Sequence, residues 1–233
     1  MEKGKKMIHG IPSIIWGRNS NNVVIITHGS QSHKEDRFIQ CCADILCEKG
    51  YQIISFDLPE HGERRNQLPI HTVKQAIEDM QVIMNYAKEH YNSIITIGCS
   101  LGAYYTLLAY QDESITQCLL LSPVVDLIEL THEMLENDNR TIRDVFYNKQ
   151  VTLSNGIIVR EEDYTYLSNH SIKTWKCPLS ILYGMKDNLI KFESIQKFVS
   201  QYNCKLVLSD ESAHYFNTKE DMNMIKVWLN QIE

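Results

Sequence analysis

The sequence predicts an α/β fold built on a mostly parallel sheet, because short apolar runs alternate with longer amphipathic stretches. The runs are continuous in apolar residues, as strands covered on both faces require. They lie at 23–26, 53–56, 94–97, 119–121, 181–183 and 206–208. The stretches between them have helical spacing, and this alternation specifies parallel strands with helices on both faces of the sheet.

Three of the helical stretches carry signals for their first turn. Ser32-His33-Lys34-Glu35 has the pattern of a capping box and predicts a helix that ends near Gly50. Thr72 and Thr218 each precede a further helix. The apolar face of the helix after Thr72 consists of Ala76, Met80, Ile83, Met84 and Ala87. The inward face of the helix after Thr218 consists of Met224, Ile225, Trp228 and Leu229.

Two regions interrupt the alternation. Residues 10–16 have the composition of an initial antiparallel strand. Residues 127–174 separate two strands of the sheet and contain two apolar runs joined by Ser154-Asn155-Gly156, which is typical of a hairpin. We therefore expect a single domain over residues 1–233, with an insertion of the size of a small lid at about 127–174.

Composition limits which partners the protein can bind and in which cellular compartment it is expected. The 233 residues carry a net charge of −6, which argues against nucleic acid because phosphate binding needs a basic surface. The seven cysteines include no C-x-x-C pair, so we expect neither structural zinc nor a disulfide framework. No apolar run approaches the roughly 20 residues that span a bilayer, and no export signal is evident. The sequence predicts a cytoplasmic protein, and its oligomeric state stays open.

Gly98-Cys99-Ser100-Leu101-Gly102 matches the pattern G-x-S-x-G. The motif follows the apolar run 94–97 and precedes a helix-compatible stretch at 103–110. In such a strand–turn–helix setting the serine lies on a strained turn with its hydroxyl exposed, and the glycines avoid collisions as the chain reverses. We predict Ser100 as a nucleophile; the alternative is a tight turn with an incidental serine.

A serine hydroxyl is a weak nucleophile and needs a base that is oriented by an acid. Among the nine histidines, His214 is the best candidate base, because it follows the last apolar run and precedes the last helix. Asp187 is the best candidate acid, because it lies directly past a strand end. Asp126, which also follows a strand, is the second candidate, and Asp210 is the third.

An oxyanion site is predicted from His28-Gly29-Ser30, which follows the first apolar run. A backbone N–H of this loop, together with the N–H of Leu101, would stabilise a tetrahedral oxyanion. A generic turn at a strand end is the alternative interpretation of this loop.

Five segments together resemble the α/β-hydrolase family, and are most similar to its small bacterial serine esterases and acylaminopeptidase-like hydrolases. The segments are His28-Gly29, Phe56-Asp57-Leu58-Pro59-Glu60-His61-Gly62, Gly98-Cys99-Ser100-Leu101-Gly102-Ala103, Gly184-Met185-Lys186-Asp187 and Ser212-Ala213-His214. The resemblance covers roughly residues 11–229. It implies an eight-stranded, mostly parallel sheet with a lid after the sixth strand. It also implies Ser100 as nucleophile, Asp187 as acid, His214 as base, and the N–H groups of Ser30 and Leu101 as oxyanion donors.

We therefore predict a serine hydrolase that cleaves a small or medium carboxylic ester through an acyl-enzyme on Ser100, with no metal or organic cofactor. The expected partner is a small-molecule ester or acyl compound, and neither nucleic acid nor a membrane. An amide or peptide hydrolase and a thioesterase with the same triad remain alternatives. A relative of the fold that binds a ligand without catalysis is a fourth possibility.

Overall fold

The computed structural model describes residues 2–67 and 73–232, which form ten strands and eight α-helices. The strands are β1 (Lys3–Ile8), β2 (Ile11–Trp16), β3 (Asn22–Thr27), β4 (Gln52–Phe56), β5 (Ser93–Cys99), β6 (Gln117–Leu121), β7 (Gln150–Thr152), β8 (Ile158–Arg160), β9 (Leu179–Gly184) and β10 (Lys205–Ser209). The helices are α1 (Arg37–Glu48), α2 (Val73–His90), α3 (Leu101–Tyr110), α4 (Leu127–Asn137), α5 (Ile142–Asn148), α6 (Glu161–Asn169), α7 (Phe192–Tyr202) and α8 (Lys219–Leu229).

Eight strands form one sheet in the order β1-β2-β4-β3-β5-β6-β9-β10. The six strands from β4 to β10 in this order are parallel to one another, and only β1 and β2 are antiparallel to their neighbours. The predicted eight-stranded, mostly parallel sheet is therefore confirmed. Since the carboxyl ends of parallel strands meet at one edge, the segments after β3, β5 and β9 lie close together.

The core consists of two apolar layers, one on each face of the sheet. In β3, Val23 and Ile25 pack toward α2 and α3, whereas Val24 and Ile26 pack toward α1 and α8. Alternate residues of a strand point to opposite faces, so a strand that is covered on both faces needs an unbroken apolar run. This explains the runs in the sequence, except in β10, an edge strand whose Leu208 is 41% exposed.

Helix assignments hold at most of the predicted positions. Every residue of the predicted apolar face of α2 is buried, although its predicted start at Thr72 lies outside the described residues. Helix α8 begins after Thr218, whose side chain accepts a hydrogen bond from the N–H of Asp221 in a capping box. The predicted hairpin is also present, as the antiparallel pair β7 and β8.

The predicted capping box at Ser32 is wrong, because α1 begins at Arg37 with Asp36 as its cap. The Asp36 carboxylate accepts from the N–H of Ile39 at 2.8 Å, and the Ser32 hydroxyl donates to that carboxylate instead of accepting from a backbone N–H as a helix cap would. Lys34 is buried with its ammonium 2.5 Å from Asp57. This tertiary contact holds the residues before Asp36 in a non-helical path.

Strand β1 was not predicted from the sequence. Strand β1 pairs with β2 through a hairpin whose turn residues, His9 and Gly10, both have positive φ values (47° and 88°). Such turns match the twist of the flanking strands. Strand β1 lies at the sheet edge with most of its side chains exposed. Its lysines interrupt the apolar pattern expected of a strand, and they also discourage the exposed edge from pairing with another strand.

The insertion between β6 and β9 contains α4, α5, β7, β8 and α6. It has a small apolar cluster of its own, formed by Leu135, Val145, Val151, Leu153 and Val159. Within residues 2–67 and 73–232, none of the helices is long and apolar enough to cross a membrane.

Candidate active site

Ser100 lies on the sharp turn between β5 and α3, with φ 50° and ψ −118°. A left-handed φ at a residue other than glycine is a strained conformation, which persists only where the surroundings impose it. Added Cβ atoms show these constraints: one at Gly98 would lie 2.6 Å from the Cα of Ala103, and one at Gly102 would lie 2.2 Å from the carbonyl oxygen of His28. Both glycines of the motif are therefore required by close backbone approach.

Ser100, His214 and Asp187 form a continuous chain of hydrogen bonds. The Oγ of Ser100 is 2.9 Å from Nε2 of His214, and Nδ1 of His214 is 2.7 Å from Oδ2 of Asp187. The side chains of His214 and Asp187 are 4% and 0% exposed. The structure thus brings together three residues that are 87 and 27 positions apart in the chain.

The carboxylate of Asp187 is fixed by its own loop. Its Oδ1 accepts hydrogen bonds from the N–H groups of Leu189 at 2.8 Å and Ile190 at 2.9 Å, which leaves Oδ2 for the imidazole. A carboxylate with two backbone donors cannot rotate without losing them. Its orientation toward His214 is therefore set before any ligand binds.

The loop that carries His214 is attached to the loop of Asp187. The N–H of Lys186 donates to the carbonyl of Ser212 at 3.0 Å, and a Cβ at Gly184 would lie 2.3 Å from that same oxygen. The Ser212 hydroxyl donates to the buried carboxylate of Asp221 at the start of α8. These contacts hold the base and its acid at a fixed separation.

Ser30 and Leu101 both line the cavity described below. Among the described residues, neither of their N–H groups donates a hydrogen bond to another part of the chain. A Cβ at Gly29 would lie 3.3 Å from the Cβ of Ser100, so the loop after β3 packs directly on the nucleophile turn. The predicted oxyanion donors are thus free N–H groups beside Ser100.

His28 holds the loop that carries Ser30. Its Nδ1 donates to the carbonyl of Gly29 at 2.7 Å, and its Nε2 accepts from the N–H of Leu58 at 3.1 Å. Burial, with a contribution from His61, lowers the pKa of His28 from 6.5 to about 3, so the imidazole is neutral. Since the Gly29 carbonyl and the Ser30 N–H belong to one planar peptide, the bond from His28 sets the direction of that N–H.

The rival acids lie elsewhere. Asp126 is exposed and caps α4, where it accepts from the N–H of Glu129 at 2.9 Å. Asp210 is exposed in the turn after β10. Among the described hydrogen bonds, neither carboxylate contacts a histidine, so the choice of Asp187 rests on geometry as well as on order in the chain.

A cavity of about 390 Å³ lies beside Ser30 and Leu101. Its walls come from the turn after β4, from α2 and α3, and from β8, α4 and α6 of the insertion. Most of the lining side chains are apolar, as in sites that bind small organic molecules. The volume is suited to a small or medium ligand.

The polar residues that line this cavity and were not predicted as site residues include Glu60, Tyr105, Arg160 and Asp163. Only Tyr105 has a usable sequence signal, because it follows Leu101 by four positions in the helix and so lies on the same face. Glu60, Arg160 and Asp163 lie in distant segments, and no local sequence pattern predicts that they meet.

The fold and the Ser–His–Asp arrangement define an α/β hydrolase. A model of the family described as serine aminopeptidase, S33, matches residues 18–171. The chain therefore belongs to this family of α/β hydrolases. The comparison with curated proteins gave no match.

Several solved structures have the same fold. Est1E from Butyrivibrio proteoclasticus, with ferulic acid bound, is 21% identical with a TM-score of 0.78, and the match covers 98% of this chain and 96% of that one. Mouse alpha/beta hydrolase domain-containing protein 10 is 15% identical with a TM-score of 0.81, covering 100% and 98%. The esterase Pf2001 from Pyrococcus furiosus is 17% identical with a TM-score of 0.68, covering 99% and 90%.

Proposed function

We propose that the protein is a serine hydrolase that cleaves small or medium carboxylic esters through an acyl-enzyme on Ser100. The observation that carries this proposal is the hydrogen-bond chain from Ser100 through His214 to Asp187, on a strained turn next to a cavity. A protein that only binds a ligand would need neither a strained turn at Ser100 nor the hydrogen bonds that link Ser100, His214 and Asp187. Belonging to a hydrolase family gives independent support.

In the proposed reaction, Ser100 attacks the acyl carbon while Nε2 of His214 takes the proton of the hydroxyl. Asp187 keeps the proton of His214 on Nδ1 and stabilises the imidazolium. The N–H groups of Ser30 and Leu101 donate to the oxyanion, and one such donor is typically worth about 10²–10³ in kcat. His214 then protonates the leaving alcohol and activates the water that releases the acid.

The proposal includes the insertion as a lid on a single catalytic domain. Support comes from the cavity, which has β8, α4 and α6 of the insertion among its walls. A lid should become more protected from hydrogen exchange when a phosphonate occupies Ser100, and unchanged protection of residues 127–174 would refute this role.

A cytoplasmic location is also part of the proposal. All seven cysteines are free thiols, which suits a reducing compartment. Fractionation of cells that produce the full chain tests this assignment, and recovery of the protein outside the cytoplasm would refute it.

An amide or peptide bond is the second candidate for the scissile group, because the matching family is described as serine aminopeptidases. The same triad serves esters, amides and thioesters, so one acyl group should be compared as an aryl ester, an anilide and a CoA thioester. An aromatic acid belongs in the panel, since the related fold of Est1E binds ferulic acid. We expect the ester to have the highest kcat/KM, and faster anilide or thioester turnover would contradict the proposal.

Reaction with a fluorophosphonate separates catalysis from ligand binding without turnover. We expect rapid labelling of Ser100 at neutral pH. A folded protein that binds the acids of the panel but is not labelled would be a non-catalytic member of the fold.

A further inference from the structure

We infer that the cavity contains a polar subsite, formed by Tyr105, Asp163 and the ion pair of Arg160 with Glu60, that binds a hydroxyl group of the substrate. The preferred substrate would then be an ester with an apolar body and a hydroxyl-bearing end. This inference rests on the proposed ester hydrolysis and specifies its substrate class.

Tyr105 supplies the first observation. The residue is 8% exposed and lines the cavity, and its hydroxyl has no hydrogen-bond partner among the described residues. This oxygen is not enclosed like the partnerless buried polar atoms elsewhere in the described residues, so it opens into the cavity, where a ligand or water can satisfy it. Tyr105 follows Leu101 by one turn of α3, so this hydroxyl shares a cavity with a predicted oxyanion donor about 6 Å away along the helix axis.

The ion pair supplies the second observation. Arg160 of the insertion donates to both carboxylate oxygens of Glu60, with distances of 3.2 Å from Nη1 and 2.6 Å from Nη2. Its side chain is 10% exposed. Glu60 has a φ of 63°, a conformation that favours glycine, and it follows Pro59 in the turn after β4. The strained backbone places a carboxylate where a glycine could make no such contact.

Asp163 completes the group. Its Oδ1 accepts from the N–H of Val73 at 2.7 Å, and its Oδ2 is 3.7 Å from Nη1 of Arg160. Burial raises the pKa of Asp163, although the bond from Val73 and the charge of Arg160 oppose this rise. Asp163, Glu60 and Arg160 line the same cavity as Tyr105, whose hydroxyl pKa is raised mainly by burial.

The chemistry of these groups selects the ligand. Two carboxylates and one guanidinium leave one surplus negative charge, which disfavours a carboxylate on the substrate. An ammonium could neutralise that charge and donate to the Tyr105 oxygen, but as an ion it would lose its hydration on entering a mostly apolar cavity. A hydroxyl can accept from Tyr105 and donate to Asp163 at once, and it enters an apolar cavity without the desolvation cost of an ion.

The test is a set of p-nitrophenyl esters of 3-arylpropionic acids whose ring carries a para hydroxyl, methyl, aminomethyl or carboxyl group. A parallel set places the same rings on the alcohol side of acetate esters. The methyl compound is the isostere of the hydroxyl compound, and the propionyl spacer separates ring electronics from the reacting carbonyl. The quantity of interest is the ratio of kcat/KM for hydroxyl over methyl.

In at least one set we expect wild-type protein to favour hydroxyl over methyl by about tenfold, and Tyr105→Phe to bring the ratio close to one. Asp163→Asn should also reduce the ratio, and it serves as the second variant if Tyr105→Phe does not fold. Tyr104→Phe is the matched control, since Tyr104 is buried next to Tyr105 but is absent from the described cavity lining, and it should keep the wild-type ratio.

A wild-type ratio near one in both sets, or a higher kcat/KM for the aminomethyl or carboxyl compound, would overturn the inference. A wild-type ratio that persists in both Tyr105→Phe and Asp163→Asn would do the same. If none of the esters is hydrolysed, the proposed reaction fails while the subsite can still be tested. The hydroxyl compound should then raise the thermal midpoint of the resting protein more than the methyl compound does, and equal shifts would refute the subsite.

Discussion

Replacement of Asp187 by asparagine tests how the acid acts on His214. The Oδ1 of Asp187 accepts from two backbone N–H groups, so the oxygen of an asparagine should stay in that position. The amide nitrogen would then face Nδ1 of His214, where Oδ2 now accepts at 2.7 Å. Because an amide nitrogen only donates, His214 would have to carry its proton on Nε2 and could no longer accept the proton of Ser100.

The expected loss in kcat is about 10⁴-fold, the size seen when a triad aspartate is replaced in this way in another serine hydrolase. At 1.36 kcal/mol for each factor of ten, this corresponds to about 5 kcal/mol of barrier. The assay is the steady-state hydrolysis of a p-nitrophenyl ester at neutral pH, with the thermal midpoint measured to verify folding.

Asp126→Asn is the matched control, since asparagine caps a helix about as well as aspartate does. We expect this variant to keep wild-type kcat, because Asp126 only caps α4. If Asp187→Asn retains activity within tenfold of wild type, or if Asp126→Asn loses it, the tautomer argument is wrong.

Three further predictions concern the supports of the site. Gly102→Ala should lower the free energy of unfolding by about 1–3 kcal/mol, measured by urea denaturation, since the added Cβ would lie 2.2 Å from the carbonyl of His28. Lys34→Met should cost about 3–5 kcal/mol in the same assay, because it leaves the buried carboxylate of Asp57 without its cation. The pKa of His28 is lowered by burial from 6.5 to about 3, so its neutral form contributes stability above pH 6.5 that is lost as the pH falls toward about 3. His28→Gln should therefore reduce the slope of unfolding free energy against pH in that window by up to about 1.4 kcal/mol per pH unit.

Matched control variants separate these specific effects from a general loss of stability on substitution. Gly4→Ala should change stability by less than about 0.5 kcal/mol, because nothing lies within 4 Å of the added Cβ. Lys5→Met removes a cation that also contacts Glu63 but is 74% exposed, and should cost less than about 1 kcal/mol. Equal losses in each pair, or an unchanged pH slope in His28→Gln, would contradict the structural reasons given.

The parallel sheet could be predicted from sequence because its information is local. A strand such as β3 must present apolar residues to both faces, and its unbroken run records that requirement directly. Strand β1 was not predicted because an exposed edge strand needs no apolar face and so has no apolar pattern in its sequence. The start of α1 was misplaced because the pairing of Lys34 with Asp57, 23 residues apart, outweighs a local capping pattern.

The Ser–His–Asp candidates could be predicted because each follows a strand, and strand ends in a parallel sheet converge. The polar end of the cavity could not be predicted in this way. Arg160 and Glu60 are 100 residues apart, and their contact depends on how the insertion folds back over the sheet. The role of His28 could not be predicted either, because no sequence pattern indicates a hydrogen bond between its ring and the carbonyl of Gly29.

The role of Ser100 is tested most directly by mass spectrometry of the intact protein after treatment with a fluorophosphonate at neutral pH, followed by peptide mapping of the adduct. We expect one adduct per chain, on Ser100, and a much slower reaction in His214→Ala, because the hydroxyl then lacks its base. A folded protein that stays unlabelled, or an adduct on another residue, would contradict the claim that Ser100 is an activated nucleophile.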